Sequence, residues 1–281
     1  MRIFLTGGTG FIGSHLASKC LTDGHQVVAL RRPGASSRIH LVREPEWCEG
    51  CMSDNWGEVL AGCDVLVHLA AYGVAAGPND WEGCFDVNVL QSLYLWRQAV
   101  DSGIRRFLIV GSCFEYGRSG ERYDFIPATA SLEPTTAYGA SKAAATVAAH
   151  ALAVEHDLSI VIARPFHVYG EGEDPCRFWP SLVMAAQQGS DLLMTHGDQI
   201  RDFQHVTKTV AQLMTLLDCR EAVPGIPLLV NLGSGLPMSL RTFAEREWHR
   251  LNAVGRIQFG LIPSRVHEVM RYVPKVTDGL V

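Results

Sequence analysis

Three glycines, at positions 7, 10 and 13, stand between an apolar run, Ile3-Phe4-Leu5, and a helical pattern carried by His15, Leu16, Lys19 and Leu21. A buried strand that turns through glycines straight into a helix is the opening unit of a parallel α/β sheet. The glycines allow backbone N–H groups and the helix N-terminus to approach a pyrophosphate. Gly7, Gly10, Phe11, Ile12 and Gly13 are therefore candidates for holding a dinucleotide. A tight strand-to-helix turn without a ligand is the plainer alternative.

A second strand is expected over Gln26–Leu30, followed by Arg31-Arg32-Pro33-Gly34 and then Ser36, Ser37 and Arg38. NAD sites usually end this strand in Asp or Glu, which hydrogen-bonds the ribose 2′-OH. A guanidinium there pairs instead with a 2′-phosphate, which a carboxylate would repel. Arg31 and Arg32 thus favour NADP(H) over NAD(H), unless both are merely solvated surface charges.

Further buried strands are expected over Asp64–His68, Arg106–Val110 and Ser159–Ala163, each a near-continuous apolar run of the kind a sheet covered on both faces requires. Leu69-Ala70-Ala71 follows the first with small residues that suit a flat ligand. Trp81–Ser102 predicts a long helix carrying Asn88, and Gly117–Pro134 a long excursion. Ser112 falls at the carboxyl end of a strand, where ligands of open α/β sheets bind. Tyr138 and Lys142, four apart on a helix that Thr135 or Thr136 can cap, share one face. An ammonium one turn from a phenol favours the phenolate, so the pair can exchange a proton with an alcohol or ketone near neutral pH.

After Gly170 the alternation breaks into a polar loop (171–176), a helix (177–188), a mixed stretch around Arg201, a helix (209–218), a strand (228–232) and a last helix (239–251). The expected fold class is α/β: a doubly wound parallel Rossmann sheet over residues 1–170, to which 206–232 return, with a smaller C-terminal substrate-binding lobe within 171–281.

The formal charge of −5 gives no reason to expect a nucleic-acid partner. No run of about 18 apolar residues predicts a membrane span, and a strand that begins at the N-terminus leaves no room for a signal peptide. Eight scattered cysteines read as reduced thiols of a cytoplasmic protein. Cys48-Glu49-Gly50-Cys51 has zinc-like spacing but no partner motif, so no metal is expected. Ala143–Val154 is rich in small residues. Close packing on the sheet and a helix contact in a homodimer explain it equally well.

Together these stretches resemble the extended short-chain dehydrogenase/reductase family, the epimerases and dehydratases of nucleotide sugars. The resemblance rests on Thr6-Gly-Gly-Thr-Gly-Phe-Ile-Gly13, His68-Leu-Ala-Ala71, Asn88, Ser112 four before Tyr116-Gly117, Tyr138-Gly-Ala-Ser-Lys142, Arg164-Pro-Phe-His-Val-Tyr-Gly170, Arg201-Asp-Phe203 and Asn231-Leu-Gly-Ser-Gly235, in the family's order. It implies Tyr138 as general acid/base, Lys142 holding the nicotinamide ribose, and Ser112 on the reacting sugar oxygen. It also implies cofactor contacts from Leu69, Ala70, Ala71 and Pro165, and Arg201 on the substrate diphosphate.

The departures are informative. Where dehydratases of the family carry an acidic pair for eliminating water, this chain has Cys113 and Phe114, with Glu115 one place further and expected to point away. His167 stands where Asn is usual, either contacting substrate or sitting in the core. Cys51 replaces an Asp that contacts adenine, and Thr207-Lys208 replaces an Asp pair. The chain ends soon after Tyr272-Val273-Pro274, so a short lobe and a less enclosed sugar are expected.

The favoured reading is NADP-dependent reduction of a 4-keto-6-deoxy sugar nucleotide, with Ser112, Cys113, His167 and Arg201 lining the substrate site. The alternatives are a 4-epimerase that retains NAD(P) and, of another class, a non-catalytic NADP-binding redox sensor or scaffold.

Overall fold

The computed structural model describes residues 1–74, 79–219, 221–263 and 269–276. The first half runs β1 (Arg2–Thr6), α1 (Phe11–Thr22), β2 (Gln26–Arg31), β3 (Glu46–Glu49), α2 (Gly57–Leu60), β4 (Val65–His68), α3 (Trp81–Phe85), a π-helical turn (Asp86–Gln91), α4 (Ser92–Asp101) and β5 (Arg106–Val110). Next come two 3-10 turns (Cys113–Glu115 and Arg118–Arg122), α5 (Ala137–His156), β6 (Ser159–Pro165), β7 (His167–Tyr169) and α6 (Phe178–Gln188). The remainder is β8 (Leu192–Met194), β9 (Ile200–Arg201), β10 (Phe203–His205), α7 (Val206–Leu217), β11 (Leu228–Leu232), β12 (Met238–Ser239), α8 (Leu240–Arg250), β13 (Ile257–Phe259) and β14 (Arg271–Tyr272).

Seven strands form one sheet in the order β11-β6-β5-β4-β1-β2-β3, and every pair in it is parallel. Its strands alternate side chains between two cores. Ile3, Leu5, Val65 and Val67 face α1 and α7 with Leu16, Val210 and Leu213. Phe4, Leu66, Phe107 and Ile109 face the other side with Leu95, Trp96, Ala149 and Leu152. This is why the strands read as unbroken apolar runs: neither face meets water. Truncating a fully buried Leu here to Ala would cost about 2–5 kcal/mol.

Strand order reverses between β1 and β4, and at such a point a crevice opens outside the carboxyl ends of the strands. The two strand ends are tied together there: Ala70 N donates to Thr6 Oγ1 at 3.2 Å, and Thr6 Oγ1 meets the ring of His68 at 3.0 Å. A separate apolar cluster of Leu182, Leu192, Met194, Ala244 and Trp248 builds the smaller lobe around α6, β8 and α8. β11 joins the main sheet beside β6.

The structure refines several expected boundaries. The long helix over 81–102 is interrupted by a π turn at 86–91. The turn brings the Asn88 amide inward, where Oδ1 accepts from Tyr72 N at 2.7 Å and Nδ2 donates to Ser141 Oγ at 2.9 Å. The helix expected at 209 starts at Val206, because His205 caps it by accepting from Thr207 N. Among the described residues no helix is long and apolar enough to cross a membrane.

Candidate active site

The glycine-rich turn closes as its composition requires. Gly7 has φ +72°, a left-handed conformation that glycine adopts freely. A Cβ on it would stand 2.6 Å from both Ala70 N and Leu69 C, so Leu69 and Ala70 press directly on the turn. Gly13 packs against the Gly7 carbonyl. Gly10 is the N-cap of α1 and offers no side chain to its first amides, leaving them free for an anion. Phe11 and Ile12 pack on the apolar core beneath. These groups fit a dinucleotide pyrophosphate, and the fit rests on the cradle that a Cβ would fill.

At the end of β2, Arg31 lies opposite Glu49 in the β2–β3 register. Arg31 Nε and Nη2 donate to Glu49 Oε1 at 3.0 and 2.6 Å, and the guanidinium stacks 5.0 Å from the Trp47 ring centre. Beside them is a groove of about 580 Å³ lined by Arg31, Ser36, Ser37, Arg38 and Trp47. Arg32 is exposed.

The catalytic candidates are positioned by β5 and α5. Thr136 caps α5 by accepting from Gly139 N at 3.1 Å. Lys142 is buried, and its Nζ donates to Val110 O at 2.7 Å. Burial pulls its pKa below the usual lysine value, opposed by the charge of Glu115. Ser112 is buried at the start of the 3-10 turn, its backbone N held by Glu115 Oε1 at 2.8 Å. The four-residue spacing predicts that Lys142 draws the Tyr138 phenol toward neutrality. In the fold, burial dominates and pushes that pKa up, while a hydrogen bond with Ser112 and the charge of Arg177 act against it. Ser112 thus acts on the Tyr138 phenol, and the Lys142 ammonium is turned to the Val110 carbonyl.

The substrate candidates gather on the lobe side. Cys113 is buried and its thiol is pushed up to about 12, chiefly by burial. His167 is kept neutral, its pKa lowered to about 3 by burial and then by Arg201 and Arg177. Arg201 donates to Ile200 O at 2.9 Å and Val269 O at 2.6 Å. Its neighbour Asp202 is committed elsewhere, accepting from Ser234 N and Gly235 N at 3.1 and 2.6 Å. Pro165 ends β6 opposite Leu232. Ala71 follows β4 at the same crevice.

Glu115 does turn away from this space, into the core. Its Oε2 accepts from Arg164 Nε and Thr146 Oγ1, both at 2.8 Å. Phe114 takes the opposite course: it is 43% exposed, with its ring edge-on to Tyr138 at 6.2 Å.

Sequence reasoning missed Arg177. It is the N-cap of α6, and Nη2 reaches across to Val74 O at 2.8 Å. Its charge bears on Tyr138, Cys113, His167 and Glu173. A signal was present: a cation at a helix N-terminus opposes the macrodipole and so asks for another reason to be there.

A family model described as the NAD dependent epimerase/dehydratase family matches residues 3–233. The chain is similar to CDP-abequose synthase of Salmonella typhimurium, 28% identical over 95% of this chain and 87% of that protein. It is also similar to UDP-glucose 4-epimerase of Corynebacterium glutamicum, 26% identical over 87% of this chain and 79% of that protein. Among solved structures it superposes on MoeE5 in complex with UDP-glucuronic acid and NAD with a TM-score of 0.83, at 27% identity, covering 98% of this chain and 90% of that one.

Proposed function

The chain belongs to the NAD dependent epimerase/dehydratase family, within the extended short-chain dehydrogenases/reductases, and from that premise we propose that it reduces the keto group of a 4-keto-6-deoxy sugar nucleotide with NADPH. The observation that carries this reading is the fate of the segment after β5. Cys113 is a buried, protonated thiol, Phe114 presents a ring, and Glu115 is bound to Arg164 and Thr146. The segment therefore offers no carboxyl beside Tyr138 to eliminate water, and Ser112, Tyr138 and Lys142 support a reading in which a proton passes to a keto oxygen.

A bound cofactor would supply the hydride from its nicotinamide, with its pyrophosphate held by the glycine turn and its nicotinamide ribose by Lys142, whose remaining N–H donors suit it. Tyr138 gives its proton to the carbonyl oxygen as that oxygen gains charge. Ser112 donates a hydrogen bond to the same oxygen. Arg201 pairs with the diphosphate, a task suited to a planar cation, and Cys113 and His167 line the space between.

The 2′-phosphate of NADPH is assigned to the groove of Arg31, Ser36, Ser37 and Arg38. An exposed ion pair such as Arg31–Glu49 holds only about 0–1 kcal/mol, so a dianionic phosphate can displace it. The same pair also favours the second reading, a 4-epimerase with tightly held NAD: Glu49 stands where it would oppose a 2′-phosphate. Residues 171–281, less the 206–232 return to the sheet, form the substrate lobe. Exposed Val147 and Val154 on α5 and Leu90 and Tyr94 beside them form a face suited to a second copy of the chain.

Deuterium transfer tests the reading. From NADPH deuterated at C4 of the nicotinamide, the label should appear at C4 of the product sugar, one per turnover. Sugar interconverted without label from the added NADPH would instead establish the epimerase, which works from cofactor held in its oxidised form.

A further inference from the structure

Among the described residues, buried polar side-chain atoms without a hydrogen-bond partner are Arg2 Nε, Trp96 Nε1, His167 Nδ1, Glu173 Oε2 and Trp179 Nε1. Three of them fall in the single segment 167–179, at the mouth of the crevice. A buried polar atom without a partner is unfavourable, so such a concentration marks a place built for a hydrogen-bonding ligand.

The segment is held over the crevice at both ends. The ring of His15, on α1, meets Glu171 O at 2.9 Å, and Arg38 pairs with Asp174 at 3.4 Å. Further on, Arg177 bonds Val74 O. The Arg177 charge bears on Glu173, His167 and Tyr138, so all three lie within the reach of its field. Tyr169 shares a face of β7 with His167, and Trp179 packs on Tyr169 at 5.8 Å between ring centres.

Glu173 is the unexpected member. A carboxylate repels a diphosphate, so near Arg177 it serves some uncharged part of the ligand. Burial pushes its carboxyl up to about 7, with Arg177 opposing. A carboxyl that exchanges its proton near neutrality can both donate to and accept from a hydroxyl.

We propose that Glu173 is a specificity-determining residue that hydrogen-bonds a hydroxyl of the substrate's hexose ring, with His167 Nδ1 and Trp179 Nε1 completing the polar wall. The assignment rests on the nucleotide-sugar reading given above. It predicts that Glu173 separates a sugar nucleotide from the bare nucleotide while leaving nucleotide and cofactor binding alone.

The test is calorimetric titration of the NADPH-loaded full chain with UDP-glucose, CDP-glucose and dTDP-glucose, and with UDP, CDP and dTDP. Glu173→Ala should weaken the sugar nucleotide that binds best by roughly tenfold, the scale of one lost hydrogen bond. Glu173→Gln should retain part of the difference, and the bare diphosphate should bind both variants as it binds the wild type, which also reports an intact fold. Equal weakening of sugar nucleotide and diphosphate would overturn the assignment, as would no weakening of either. A wild-type chain that binds none of the six would instead remove the nucleotide-sugar reading itself.

Discussion

Arg164 Nε donates to Glu115 Oε2 at 2.8 Å, with both side chains shut away from solvent at 2% and 0% exposure. This ion pair lies directly behind Ser112, whose backbone N is held by the other oxygen of the same carboxylate. The one acid of the Ser112–Gly117 stretch therefore orients the serine and is unavailable to the substrate. Removing one partner of a buried pair strands the other charge. Glu115→Ala should lower stability by about 3–5 kcal/mol and Glu115→Gln by less, as read by urea denaturation. An unchanged midpoint would contradict the arrangement.

Tyr138→Phe removes only the hydroxyl. Loss of a positioned acid typically lowers turnover by about 10²–10⁴-fold, and NADPH affinity should stay within about twofold, since the ring remains. Wild-type turnover by this variant would show that the proton comes from elsewhere.

Cofactor choice turns on Arg31 and its partner Glu49. Arg31→Asp should weaken NADPH by about tenfold or more while sparing NADH, because a charge-assisted pair is replaced by repulsion. Glu49→Gln frees the guanidinium and should tighten NADPH. Fluorescence titration reads both; equal effects on the two cofactors would place the 2′-position elsewhere.

His68 is fully buried between Thr6 and Ser92, and burial lowers its pKa from 6.5 to about 3. The unfolded chain protonates this ring first. Its contribution to stability is complete above pH 6.5 and is lost as the pH falls toward 3. His167 behaves alike. Denaturation free energies should decline on acidification by up to about 1.4 kcal/mol per pH unit for each ring, and His68→Gln should flatten that slope. A variant slope equal to that of the wild type would show that His68 does not titrate in this way.

The exposed Val147 and Val154 predict a homodimer through α5. The wild type should have twice the chain mass in solution, and Val147→Glu with Val154→Glu should return it to one chain mass. A monomeric wild type would end this assignment.

Much of this molecule was legible in its residues. Ile3–Leu5, Arg106–Val110 and Ser159–Ala163 are short, near-continuous apolar runs followed by turn signals, so buried strands in a parallel sheet follow from their length and flanks. Gly7 was legible because only glycine fits where Leu69 and Ala70 press on the turn. Glu173 was not, because it lies in a polar loop whose spacing carries no period, and Arg177 was only faintly so, as a cation at the N-cap of α6 whose meaning comes from what β7 and α6 bring around it. The environment of Tyr138 was also hidden: a four-residue spacing puts Lys142 on the same face, but the depth of burial that raises the phenol pKa depends on packing from other parts of the chain. The fate of Glu115 was half legible, since its direction follows from the turn but its partner Arg164 comes from another strand.

The most direct test of the central claim is NADPH consumption with a panel of 4-keto-6-deoxy sugar nucleotides, followed by identification of the sugar formed. Stoichiometric oxidation, one NADPH for each sugar reduced at C4, is the result expected. Interconversion of sugars without net loss of NADPH, or no turnover of any member despite tight NADPH binding, would contradict it.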